Sequence, residues 1–66
     1  MENVYVFLPD GHEWEDMIIY LTEEDAIKAS LAYRYARVEI FKKQPNGNGY
    51  TPTYAYYEKG KLTNAV

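Results

Sequence analysis

Cysteine is absent from this 66-residue chain, and histidine and serine occur once each, as His12 and Ser30. Without cysteine there can be no disulfide and no thiolate metal site. One His and one Ser leave almost no stock for a nucleophile, a base and an orienting group to converge, so neither catalysis nor a cofactor is expected. Basic residues are also scarce: seven Lys and Arg stand against ten Asp and Glu, for a net charge of -3 and an isoelectric point near 4.9. Nucleic-acid affinity comes mainly from phosphate neutralisation by basic side chains, so a nucleic acid is not the expected partner. The charges read as interspersed, a pattern that suits solubility. No apolar run reaches the roughly 18 residues that a membrane-spanning helix needs. The start Met1-Glu2-Asn3 has neither a basic cluster nor an apolar segment, so no signal peptide is expected. With no Asn-x-Ser/Thr acceptor either, the expected setting is intracellular and cytoplasmic.

At this length a chain makes one domain, residues 1–66, with a thin margin: it buries only about 60% of the surface that its unfolded form exposes. What it has in abundance is aromatic surface, with eight Tyr, two Phe and one Trp. Residues 3–8 are almost all β-branched or aromatic and read as a strand. Pro9-Asp10-Gly11 supplies turn chemistry. Trp14 to Leu21 reads as a second strand, completing a hairpin. Thr22-Glu23-Glu24-Asp25 then changes the period: a hydroxyl at the N-cap and acids in the first turn predict a helix over 23–33. Ala26, Ile27, Ser30 and Leu31 share one face of it. Val38 to Lys43 returns to strand, Gln44 to Gly49 is a loop dense in breakers, and Tyr54 to Glu58 is a further strand. Pro52 belongs at a strand start or on an edge. Lys59-Gly60 reads as a tight turn, after which Lys61 to Val66 either add a short fifth strand or trail off.

The fold class that follows is α+β, in the order ββαββ: a mainly antiparallel sheet of four or five strands with one helix packed on one face. Alternation divides the sheet. Val4, Val6, Leu8, Met17, Ile19, Leu21, Val38 and Ile40 are expected beneath the helix. Tyr5, Phe7, Trp14, Ile18, Tyr20 and Phe41 are expected on the open face, with Tyr54 and Tyr56 or else Tyr57, interrupted by Arg37 and Glu39. Several exposed aromatics together exceed the few hundred Å² tolerated as a solvent patch, so this face predicts contact with another protein. A second copy is the first expectation, as a homodimer; a different protein, bound on the aromatic face or along the edge carrying Pro52, is the alternative.

Two weaker constellations carry less. Asp10, His12, Glu13, Glu15 and Asp16 crowd one turn, but their spacing matches no metal-binding motif, and no metal site is expected. Asn46-Gly47-Asn48-Gly49 lacks the Lys-Ser/Thr and the helix of a phosphate loop.

The stretches Tyr20-Leu21-Thr22-Glu23-Glu24-Asp25-Ala26-Ile27, Arg37-Val38-Glu39-Ile40-Phe41 and Gly49-Tyr50-Thr51-Pro52-Thr53-Tyr54 resemble short uncharacterised proteins of large DNA viruses. The resemblance does not extend to Ala32-Tyr33-Arg34-Tyr35. It implies a viral, intracellular setting and no activity.

Overall fold

The computed structural model describes residues 2–9, 11, 13–33 and 36–64. Strand β1 (Asn3–Leu8) leads through a short 3-10 turn (Trp14–Asp16) to β2 (Ile18–Tyr20) and helix α1 (Glu23–Ala32). Strands β3 (Arg37–Lys43), β4 (Tyr50–Glu58) and β5 (Lys61–Thr63) follow. The five strands form one antiparallel sheet in the order β2-β1-β3-β4-β5, with α1 packed on one face. This is the α+β class expected from the pattern.

The second strand is shorter than the pattern predicts. Trp14 to Asp16 form a 3-10 turn, and the ladder begins only at Ile18. The cause is local competition for backbone donors. The Asp16 carboxylate accepts the Glu13 N–H at 3.1 Å, and the amides of Asp16 and Met17 donate back to the carbonyls of Glu13 and Trp14. A short carboxylate that satisfies its own backbone draws those residues out of the sheet. Asp10 and His12, of the acidic cluster considered above, lie outside the described residues, as do Ala65 and Val66 beyond β5.

Helix α1 starts as its sequence directs, with the Thr22 Oγ1 accepting the Asp25 N–H at 3.2 Å. Its buried positions are Ala26, Ala29 and Ser30, all small, while Leu31 is exposed. The covered stripe is therefore rotated from the one that hydrophobicity alone picks out. The side chains that meet it are Tyr5, Phe7, Val38 and Tyr57, with Ala36 alongside and Tyr20, Ile27 and Ile40 packed at the margin. Directly paired residues of an antiparallel ladder share a face. The pairs Tyr5↔Tyr20, Tyr5↔Ile40, Phe7↔Val38 and Val38↔Tyr57 thus define the covered face. Val38 and Ile40 lie there as expected. Tyr5 and Phe7, expected in the open, are 9% and 3% exposed beneath the helix.

Two further bonds tie α1 to the far side of the sheet. The Tyr57 hydroxyl donates to the Glu23 carboxylate at the start of the helix. Toward its end, the Ser30 hydroxyl donates to the Ile27 carbonyl at 2.8 Å and accepts the Gly60 N–H at 2.9 Å. Gly60 is the second residue of the two-residue β4–β5 turn, where Lys59 and Gly60 have φ of 54° and 80°. Positive φ at both positions is the type I′ geometry that matches strand twist.

Candidate interaction face

Among the described residues, no helix lies on the opposite face of the sheet. Its membership is set by the complementary register pairs Val4↔Phe41, Val6↔Ile19, Val6↔Glu39, Leu8↔Arg37 and Glu39↔Tyr56. Val4, Val6 and Leu8 come from β1, flanked by Ile19 on β2 and Phe41 on β3. These five side chains make an apolar patch centred on β1. Val6 is only 6% exposed and is not part of the helix-side cluster, so its neighbours on this face shield it. Ile19 stands more than half exposed.

Beside the patch lies a polar unit. The Arg37 Nε donates to the Glu39 carboxylate at 2.7 Å, and the Arg37 guanidinium stacks on the Tyr56 ring, 4.5 Å from its centroid. Glu39 is thereby neutralised where a lone carboxylate would be costly, and Arg37 is held flat over an aromatic face.

The eight aromatic and apolar residues assigned to one open face from alternation are in fact divided. Tyr5, Phe7 and Tyr20 go to the covered side, where Phe7 meets the Tyr20 ring edge-on at 6.5 Å and the Tyr33 ring at 4.9 Å, and Tyr5 meets Tyr57 at 6.3 Å. Ile18 pairs with Phe7 and so shares that side, half exposed at its margin. Trp14 is on the 3-10 turn, 79% exposed, and belongs to neither face. Phe41 and Tyr56 are on the open face as expected. Tyr54 stands apart: between Glu39 and Phe41 the β3–β4 register shifts, leaving Thr53, Tyr54 and Ala55 opposite Ile40 alone. Tyr54 adopts φ 69° there and is 66% exposed. The Thr53 hydroxyl holds the bulge, donating to the Ile40 carbonyl at 2.8 Å and accepting the Ala55 N–H at 3.2 Å.

The face swap has one cause. A helix that presents Ala and Ser cannot fill the space above a sheet unless the sheet supplies large side chains, and rings of Tyr and Phe do so. The small stripe Ala26, Ala29, Ser30 is the signal that places the rings beneath the helix and the aliphatics of β1 outside. It was available in the sequence.

The sheet edges are poor places for a further strand. On its outer side β4 pairs with β5 at Tyr56 to Glu58, and the stretch before it runs from Thr51 to Ala55. That stretch contains Pro52, which has no N–H, and then the bulge at Tyr54. β5 and β2 are three residues each, and β5 begins with Lys61. Prolines, bulges, lysines and short strands are the usual means by which edges are blunted.

Among the described residues no pocket opens and no three metal-ligating side chains gather. Among the described residues, the clearly displaced titration is that of Tyr57, pushed up to about 12 by burial, by its bond to Glu23 and by the Glu23 charge. Their bond links the exposed start of the helix to β4. No helix among the described residues is long and apolar enough to cross a membrane. Compared with protein families, with curated proteins and with solved structures, the chain matches none.

Proposed function

We propose that this is a small non-enzymatic interaction protein that self-associates through the open sheet face centred on β1. The observation that carries the reading is the apolar patch of Val4, Val6, Leu8, Ile19 and Phe41, contiguous by register and without a covering layer among the described residues. Contiguous apolar surface of this kind marks contact sites more often than scattered exposed residues do. The blunted edges support a face contact over strand addition, so the alternative of a peptide added beside Pro52 is the weaker of the two. An intracellular setting belongs to the same proposal, supported by a cysteine-free chain that relies on packing alone.

Sedimentation equilibrium across about a hundred-fold range of concentration tests the reading. The wild type should show reversible self-association, and Phe41→Glu should be monomeric with a melting temperature close to the wild type. A wild type that stays monomeric up to millimolar concentration overturns it. So does a Phe41→Glu variant that associates as well as the parent.

A further inference from the structure

The two signs of charge are separated along the chain and not interspersed. Residues 1–27 hold eight of the ten acidic residues, and all seven Lys and Arg lie from Lys28 onward. The topology converts this into a lateral pattern across the open face. β1 is the axis of the apolar patch, with β2 on one side and β3 on the other. β2 is preceded by Glu13, Glu15 and Asp16 and followed by the acidic first turn of α1, whereas β3 opens on Arg37 and closes on Lys42-Lys43. Register sets the heights. Ile18, Phe7 and Val38 lie on one line, and Leu8 is opposite Arg37, so the acidic turn ahead of Ile18 stands just beyond the level of Arg37 on the other side of β1.

Resting on the self-association proposed above, we infer that the second copy docks with the two-fold axis running along β1, so that β2 of each copy lies over β3 of the other. The same two patches could stack with the axis across the strands. That arrangement puts β2 over β2 and β3 over β3, acid upon acid and base upon base. With the axis along β1, the carboxylates of Glu15 and Asp16 come over the guanidinium of the second copy's Arg37. Arg37 is suited to receive them. Its Nε is taken by Glu39 and its plane is steadied by Tyr56, yet its side chain remains 52% exposed with further donors to offer.

The overlap is modest. Strands about 4.8 Å apart, with six paired residues in each of β1 and β3 and three in β2, cover roughly 240 Å². That is well below the ~800 Å² per partner of a standard stable interface. Such a dimer is reversible, and charges at its margin decide orientation and encounter more than they add affinity.

The experiment is sedimentation equilibrium of the full chain at low, physiological and high salt, for the wild type and for Glu15→Lys. Glu15 is exposed on the 3-10 turn, and an unchanged melting temperature certifies the variant's fold. The expected result is a wild-type dimer that loosens as salt rises, and a Glu15→Lys dimer about tenfold looser at low salt, since an attraction becomes a repulsion at two symmetric contacts. A wild type that tightens with salt, together with a Glu15→Lys variant that tightens at low salt, signifies the crossed stacking. That outcome overturns the orientation while leaving self-association in place. Indifference to both changes overturns it too. A wild type that is monomeric under every condition removes the underlying reading instead. The salt series on the wild type alone keeps the orientation testable if the variant fails to fold.

Discussion

The covered and open faces of this sheet are made from different residues because they meet different neighbours. Beneath α1, the rings of Tyr5, Phe7 and Tyr57 fill the room left by Ala26, Ala29 and Ser30. On the other side, the aliphatics of β1 lie level with Ile19 and Phe41, beside an ion pair that carries its own counter-charge. One face is closed by size complementarity, large against small. The other is closed only in part, by neighbours within its own sheet. The lesson is that hydrophobicity does not say which way a strand faces when both of its faces are apolar. The volume offered by the opposing layer decides.

Truncation is the strongest way to break this comparison. Phe7→Ala should cost about 3–5 kcal/mol, enough to unfold a domain of this size, because it opens a cavity among packed rings. Phe41→Ala, on the open face, should cost about 1 kcal/mol in the monomer. Thermal and urea denaturation of both variants check the pair, and similar losses would mean that the faces are not distinct.

The turn beneath the helix gives a second, smaller contrast. A Cβ on Gly60 would come within 2.8 Å of the Leu31 side chain, at a φ of 80° that L residues avoid. Gly60→Ala should therefore destabilise by about 1–2 kcal/mol, mainly from left-handed strain, since the exposed Leu31 side chain can swing aside. Lys59→Asn in the same turn should stabilise by a few tenths of a kcal/mol, since Asn tolerates the positive φ of the type I′ position.

Alkali sharpens the contrast further. Tyr57 ionises at about 12 instead of the ordinary 10, so the folded state holds its proton more tightly than the unfolded chain does. The stabilisation is complete below pH 10 and drains away as pH climbs from 10 toward 12. Absorbance titration of tyrosinate should show this one ring ionising late, and Tyr57→Phe should remove that step. On the open face the expected effect is the smallest. Arg37→Lys should change monomer stability by less than about 1 kcal/mol, because the positive charge beside the largely buried Glu39 carboxylate is kept and only the Nε bond and the stacking on Tyr56 are weakened.

Much of the fold was legible from local chemistry. The Thr22 cap, the acidic first turn and the breakers at 44–49 marked the helix and the β3–β4 loop with little ambiguity, β1 followed from residue type, and β5 is one of the two outcomes that the segment after Gly60 left open. Three things were not legible from alternation alone. β4 begins at Tyr50, ahead of the Tyr54 start that the pattern predicts, and runs through Pro52. The bonds among Glu13, Trp14 and Asp16 that shorten β2 compete with a pattern that looks like strand. The bulge at Tyr54 inserts residues opposite Ile40, and no hydrophobic period announces it. The candidate site suffered most, since it depended on which face the helix chose. Alanines at 26 and 29 carried that information, but only when read as volume.

The place of β1 between β2 and β3 has a consequence for the order in which the chain acquires its structure. Residues 3–8 are made before the other strands of this sheet, and they can pair with β2 after a short loop. Their second ladder is with residues 37–42 and waits until the helix has been made. The β3–β4–β5 meander, by contrast, closes through neighbouring residues. Closing a loop of some thirty residues is entropically slower than closing a hairpin. The strand at the centre of the open patch thus waits longest between being made and being fully paired, and during synthesis its aliphatic side remains the longest without the sheet around it.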